Sequence, residues 1–172
     1  MYKKSLNDQV HTYEDFPSKG IKFRDLLPIL IDPEITFYLI EKMSKLSINE
    51  DADAIVAIDA RGFIFGSMIA MKLSKPLVLA RKPGKLPGEL ISKDYDLEYG
   101  QNSLYLQKKS IKKFNSFVVV DDILATGGTV ECVSDLLISE NKVVTGLNVV
   151  AEIKNLDGRS RFDFPVESQI IF

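Results

Sequence analysis

The stretch Phe117-Val118-Val119-Val120-Asp121-Asp122-Ile123-Leu124-Ala125-Thr126-Gly127-Gly128-Thr129 decides how this chain is read. Residues 117–120 are apolar and mostly β-branched, the composition of a buried strand in a parallel sheet. Asp121 and Asp122 stand where that strand is expected to end. Ala125, Thr126, Gly127, Gly128 and Thr129 then form a loop of small residues ahead of an apolar-periodic segment. A strand, such a loop and a helix start bring backbone N–H groups together on an anion. Carboxylates beside that point accept hydrogen bonds from sugar hydroxyls, and the two grips together fit a ribose 5-phosphate. Each half alone is unspecific, because acids cap helices and Gly/Thr loops are common turns. The loop is not a Walker motif either, since G-x-x-x-x-G-K-[ST] does not occur in the chain.

The surrounding pattern repeats the same alternation. Residues 34–46 place Ile35, Tyr38, Leu39, Met43 and Leu46 at helical spacing, behind a cap and first-turn proline at Asp32-Pro33. Residues 54–58 read as a strand, 62–73 as a helix and 77–80 as a second strand. Residues 82–103 form a long polar segment punctuated by Gly84, Gly88, Gly100 and two prolines. A segment of that length in a small domain is usually functional or mobile. Strand 117–120, helix 128–139, strand 143–151 and a last short strand at 169–172 complete the series. Strands alternating with helices predict an α/β fold, a mostly parallel sheet flanked by helices with ligands at the carboxyl ends of the strands. The 172 residues favour one domain, 1–172, without repeats or linkers.

Composition narrows the function classes. An apolar content of 45% and a charged content of 27% are globular values. A net charge of −2 argues against general nucleic-acid binding, so an anionic substrate must be held by local cations. The one cysteine, Cys132, permits no intrachain disulfide, which fits a reducing cytoplasm. It falls within the helix expected after the loop, where a small buried hydrophobe is the natural reading. No apolar run approaches the roughly 20 residues of a membrane span, and the N-terminus lacks a signal-peptide core. His11, in a helix-like N-terminal stretch, reads as a surface residue. Lys108, Lys109, Lys112 and Lys113 read as a solvated face.

Three further motifs carry chemistry. In Ile58-Asp59-Ala60-Arg61-Gly62-Phe63 a strand end leads into a glycine and a helix, with a guanidinium beside the helix start. That suits a pyrophosphate, or else Asp59 simply satisfies Arg61 in an ordinary turn. Arg81-Lys82-Pro83-Gly84-Lys85-Leu86-Pro87 gathers three cations in five residues, either an anion-binding turn or a solvated basic loop. Tyr95-Asp96-Leu97-Glu98-Tyr99-Gly100 is an acidic loop, or a lid carrying a general acid/base.

The string from Phe117 to Thr129 closely resembles the phosphoribosyl-diphosphate-binding signature of type I phosphoribosyltransferases, in the form carried by adenine-using members. The Asp59-Ala60-Arg61-Gly62-Phe63 segment is similar to that family's pyrophosphate loop, which implies a strained, cis peptide between Asp59 and Ala60. The segment from Arg81 to Pro87 matches a rarer Arg-Lys-x-Gly-Lys-Leu-Pro motif of the same family. The resemblance runs from about residue 13 to 151 and is less clear over residues 152–172. It implies a small N-terminal hood, about residues 1–33, and a flexible catalytic loop, about residues 82–103.

Under that resemblance the expected reaction moves ribose 5-phosphate from phosphoribosyl diphosphate to N9 of adenine, giving AMP and diphosphate. The N–H groups of residues 125–129, with the Thr126 and Thr129 hydroxyls, hold the 5-phosphate, and Asp121 and Asp122 accept from the ribose hydroxyls. Arg61, Lys82 and Lys85 serve the pyrophosphate, while Arg81 reaches across a homodimer interface into the partner's site. Glu98 matches the catalytic glutamate near N7 of the purine, and Tyr99 helps close the loop. Main-chain groups around Lys22 and Arg24 read adenine, with Phe23 stacking on it. Lys19 stands where the family usually has a proline, which puts hood rigidity in question. Mg²⁺ is expected to bridge substrate oxygens while keeping its waters, with no direct protein ligand. Two other readings share the phosphate grip, a 6-oxopurine transferase and a regulator that senses the diphosphate donor. The regulators append a DNA-binding domain, and only about 15 residues precede the hood's Phe16–Asp25 segment here.

Overall fold

Residues with alternating or unbroken β-branched character pair into strands, and those with apolar spacing of three and four form helices. The computed structural model describes residues 5–97 and 100–172. Contacts divide the chain into two units, Met1–Lys42 and Met43–Phe172.

In the first unit a 3₁₀ turn, Leu6–Gln9, is closed by a capping box. The Ser5 hydroxyl accepts from the Asn7 N–H at 3.2 Å, and the Asp8 carboxylate accepts from the Ser5 N–H at 3.2 Å. Strands β1 (His11–Tyr13) and β2 (Phe23–Asp25) pair antiparallel. His11 therefore lies in a strand, not in the helix-like stretch expected, and it is exposed. A second 3₁₀ turn, Leu27–Ile31, leads into α1 (Pro33–Ser44). Asp32 caps α1 as predicted, its Oδ1 accepting from the N–H of Glu34 at 3.0 Å and of Ile35 at 3.3 Å.

Helix α1 ends at Ser44 instead of residue 46 because distant side chains take its last carbonyls. Asn49 Nδ2, on a short helix α2 (Ser47–Glu50), donates to the Met43 carbonyl at 2.7 Å. Asn148 Nδ2 donates to the same oxygen at 3.0 Å. The chain then runs through β3 (Ala54–Ile58), α3 (Gly62–Leu73) and β4 (Leu77–Ala80), with the predicted bounds. Residues 82–103, expected as an irregular loop, instead enter a long antiparallel hairpin of β5 (Leu90–Leu97) and β6 (Gly100–Gln107). Its foot is tied to the sheet by a bridge between Arg81 and Tyr105, with N···O distances of 3.0 and 2.8 Å. Helix α4 (Lys108–Ile111), β7 (Ser116–Leu124), α5 (Gly128–Ser139), β8 (Val143–Glu152) and β9 (Val166–Ile171) follow. The last strand begins three residues before the predicted 169 and stops one short of residue 172.

Five strands form one parallel sheet in the order β4-β3-β7-β8-β9. Val56, Val119, Leu147 and Val149 join Val133 and Leu137 of α5 in the main core, which also takes Leu104 and Leu106 of the hairpin. Alternate residues point to the other face, where Gly66 of α3 backs onto Ala57 of β3. The chain steps outward from β3 to β4, then returns to the opposite side of β3 to begin β7. The direction of winding thus reverses between β3 and β7, the place where open α/β sheets leave a crevice at the strand ends.

The acid pair does not end its strand. Pairing of β3 with β7 stops at Ala57 and Val120, but β7 continues along β8 to Leu124. Asp121 and Asp122 therefore sit on a strand still held on one side and released on the other.

Candidate active site

A cleft of about 470 Å³ opens at the carboxyl ends of β3 and β7. One wall comes from residues 58–61, the floor and far wall from residues 121–130, and Tyr95, Asn102 and Lys82 complete it. Sequence reading placed Tyr95 in a candidate lid without giving it a role at the cleft, and it missed Asn102, because the hairpin that carries them was taken for a polar loop. The available signal was the period-two placing of Ile91 and Tyr95, which pack on the core beside buried Leu104 and Leu106.

Asp122 is only 4% exposed. The Asp121 Oδ1 accepts from the Asp122 N–H at 2.9 Å. It also lies directly beneath the start of α3, where a Cβ on Gly62 would come 2.8 Å from that oxygen. Arg61 Nε lies 2.7 Å from Asp122 Oδ2, a charge contact more than an aligned hydrogen bond. Burial lifts the Asp121 carboxyl well above the ordinary aspartate range, and the charge of Asp122 adds to the effect. Burial also raises Asp122, and Arg61 opposes that shift. The site thus presents two coupled, under-compensated acids that gain from hydroxyl donors or a cation. The carboxylate oxygens of the pair suit a hard divalent ion, which these two residues would help to hold. Among the described residues no group of three or more His, Cys, Asp or Glu could form a protein cage.

The loop after β7 enters α5 through Gly127, whose φ of +86° favours glycine. No side chain caps the α5 N-terminus, so its first-turn N–H groups and the positive end of the dipole face the cleft. Thr126 is exposed, and the Thr129 side chain is hydrogen-bonded to the Tyr95 hydroxyl. Asp121, Asp122 and Ala125, Thr126, Gly127, Gly128, Thr129 all line one cleft together with Arg61 and Lys82.

Arg61 is not satisfied by Asp59 in an ordinary turn, and it lines the cleft. Asp59 accepts from Arg81 Nε at 3.0 Å, while Arg61 turns to Asp122. The peptide between Asp59 and Ala60 is cis. The Arg81 guanidinium lies 5.4 Å from the Phe63 ring centroid and outside the cleft lining. Lys85 is exposed and also outside the lining. Glu98 and Tyr99 lie outside the described residues. Lys22, Phe23 and Arg24 belong to the first unit. There Lys22 pairs with Glu14 at 3.2 Å, Phe23 meets Phe16 edge-on at 5.1 Å, and Arg24 donates to the Thr12 hydroxyl. Cys132 is buried in α5 as expected, its thiol pushed up to about 11 by burial, which suits no nucleophile.

Residues 30–163 match the phosphoribosyl transferase domain. The adenine phosphoribosyltransferase of Prochlorococcus marinus (strain MIT 9211) is 58% identical over 172 residues, covering all of both chains. The crystal structure of the Thermoanaerobacter pseudethanolicus enzyme of that name superposes with a TM-score of 0.91 at 40% identity, over 97% of this chain and 98% of that one. The Saccharomyces cerevisiae enzyme, crystallised with an imino-altritol bisphosphate and adenine, gives a TM-score of 0.88 at 37% identity, over 95% and 96% of the two chains. By sequence and by fold, this chain belongs to the phosphoribosyltransferases, among those named adenine phosphoribosyltransferases.

Proposed function

We infer that this protein is a glycosyltransferase of purine salvage, moving ribose 5-phosphate from phosphoribosyl diphosphate to N9 of adenine and releasing AMP and diphosphate. One observation supports the reading most: a pair of acids, one of them buried, and an uncapped helix N-terminus line a single cleft, groups suited to a sugar diol and its phosphate.

The N–H groups of residues 125–129 hold the 5-phosphate, helped by the Thr126 and Thr129 hydroxyls. Asp121 and Asp122 accept from the 2- and 3-hydroxyls, which relieves the repulsion between them. Arg61, Lys82 and Lys85 draw on the diphosphate as it departs and the sugar becomes oxocarbenium-like. Mg²⁺, when bound, neutralises part of the charge that builds on that leaving group. Tyr95 and Asn102 wall off water that would hydrolyse the sugar, and Tyr99 helps the loop close over the reacting centre. Glu98 manages the proton at N7 while N9 attacks. Main-chain groups at Lys22 and Arg24 select adenine, and Phe23 stacks on it. Arg81 acts in the partner's site of a cytoplasmic homodimer. Two features support that: Arg81 is turned from its own cleft, and apolar Ile64 and Met71 (81% exposed) stand on the outside of α3. No helix among the described residues is long and apolar enough to cross a membrane.

Purified protein with Mg²⁺ is expected to form AMP from adenine, with hypoxanthine and guanine failing to compete. No AMP by mass spectrometry sinks the assignment. Glu98→Leu should cut kcat by about 10²-fold or more while leaving AMP affinity nearly unchanged. Full turnover in that variant removes Glu98 from the reaction. A heterodimer of Arg81→Ala with Asp122→Asn should regain one intact site if Arg81 works in trans. Mixed dimers no more active than either homodimer would make each subunit self-contained.

Asp121 also links function to stability. Its folded pKa is raised, so the folded chain holds that proton more tightly than the unfolded chain does. Stability is therefore lost as pH rises from the ordinary aspartate value through the raised one. Asp121→Asn should melt a few degrees above the parent at pH 7–8, the scale of about 1 kcal/mol for a domain this size. The gap should close toward pH 4, and turnover should fall at every pH. A variant that melts lower than the parent at pH 8 would show that the charge is already compensated.

A further inference from the structure

The segment after β8 has no part in the reaction above, yet it presses on the phosphate loop. Asp157 adopts a left-handed conformation (φ 49°) and starts a 3₁₀ turn, Gly158–Arg161. At Gly158 an added Cβ would fall 2.2 Å from the Ala125 carbonyl oxygen and 3.0 Å from the Gly127 nitrogen. From the other side, a Cβ on Gly127 would fall 2.9 Å from the Gly158 carbonyl, 3.0 Å from Arg161 Cδ and 3.1 Å from Phe162 Cζ. Here the backbone of Gly158 meets that of residues 125–127 directly, with the Arg161 and Phe162 side chains packed alongside.

The segment is also clamped at both ends. Arg159 forks onto Glu152 at the end of β8, with Nε to Oε1 at 3.0 Å and Nη2 to Oε2 at 2.6 Å, and it donates to the Val166 carbonyl. Ser168 adds a bond to Glu152 at 3.1 Å. Arg161 reaches Glu131 in the first turn of α5 at 2.8 Å. Ile153 donates to the carbonyl of Leu124, the last residue of β7, at 2.8 Å. Two of these attachments, at Leu124 of β7 and Glu131 of α5, land on the elements that flank the phosphate loop.

We propose that residues 158–162 are a rigid backing for the loop of residues 125–129, and that Gly158 and Arg161 are positioning residues for the 5-phosphate site. A loop of small residues has little to hold its N–H groups in one direction. The backing supplies what its own side chains cannot. The proposal rests on the phosphoribosyl-transfer reading, and it concerns one end of the substrate only. Displacing the loop should weaken whatever carries the 5-phosphate and spare the free base.

Gly158→Ala separates this from a general loss of structure. The expected result is a KM for phosphoribosyl diphosphate raised about tenfold or more, with the KM for adenine within about twofold of the parent. AMP affinity, measured by calorimetry, should weaken in parallel with the KM for the diphosphate donor. Equal rises in both KM values, or a lower melting temperature with both KM values unchanged, overturns the proposal. Should Gly158→Ala fail to fold, Arg161→Gln at the solvent-facing clamp is judged by the same split, with a smaller rise expected. If Arg161→Gln then matches the parent in both constants, the proposal is overturned. A parent protein that neither turns over the donor nor binds AMP would instead sink the functional reading itself.

Discussion

Two carboxylates side by side on a strand that stays paired along one edge cannot relax away from each other, and the site is organised around that constraint. On a free loop, Asp121 and Asp122 would turn into water. Here β7 remains paired with β8 as far as Leu124, so the backbone that carries them is fixed. The start of α3 lies over the Asp121 oxygen, and Asp122 is almost wholly buried. Burial disfavours both charges, and the charge of Asp122 adds to the cost at Asp121. Such a pair is stable only because the sheet beneath it is not free to move. The same strain makes hydroxyl donors and a hydrated divalent cation favourable guests.

The cations of the site are parked on anions of the same chain. Arg61 rests on Asp122 and Arg81 on Asp59. A substrate carrying a diphosphate competes for Arg61, and in the proposed reaction it presents hydroxyls to Asp122 at the same time. Binding then becomes an exchange of partners within a fixed frame, not the creation of charge in a buried cleft. That ordering explains why an acid pair and a basic wall are built within one strand end of each other. The helix dipole of α5 adds a positive field that needs no counter-ion.

How far the sequence discloses this depends on the range of the interaction. The bounds of β3, α3, β4 and α5 follow from local apolar spacing, and the structure keeps all four. The acid pair and the glycine loop were legible as a site because they are contiguous. The extension of β7 past Val120 was not, because it depends on β8 outlasting β3. The hairpin of β5 and β6 was hidden by its composition. Polar residues fill its solvent face, and its buried face rests on a few positions such as Ile91, Tyr95, Leu104 and Leu106. The exchange of partners between Arg61 and Arg81 joins residues 22 positions apart, which spacing alone does not reveal. Gly158 gave no signal at all, since its role lies in what a side chain would strike.

In the proposed reaction, base selection draws on different physics from the sugar and phosphate grip. In the first unit, the Lys22 and Arg24 side chains are engaged by Glu14 and the Thr12 hydroxyl. Any reading of a purine edge at these positions therefore falls to the backbone. Strand β2 is suited to that, because it belongs to a two-stranded sheet and alternate N–H and C=O groups point away from β1. Lys19 removes the stiffness that a proline would give the turn before it. Hydrogen bonds supply a substitute: Gly20 N–H to Asp15 Oδ1 at 2.6 Å, Ile21 N–H to the Ser18 carbonyl at 3.1 Å and Phe16 N–H to the Ile21 carbonyl at 3.2 Å. Three bonds thus close the turn that carries Lys19, directly ahead of β2.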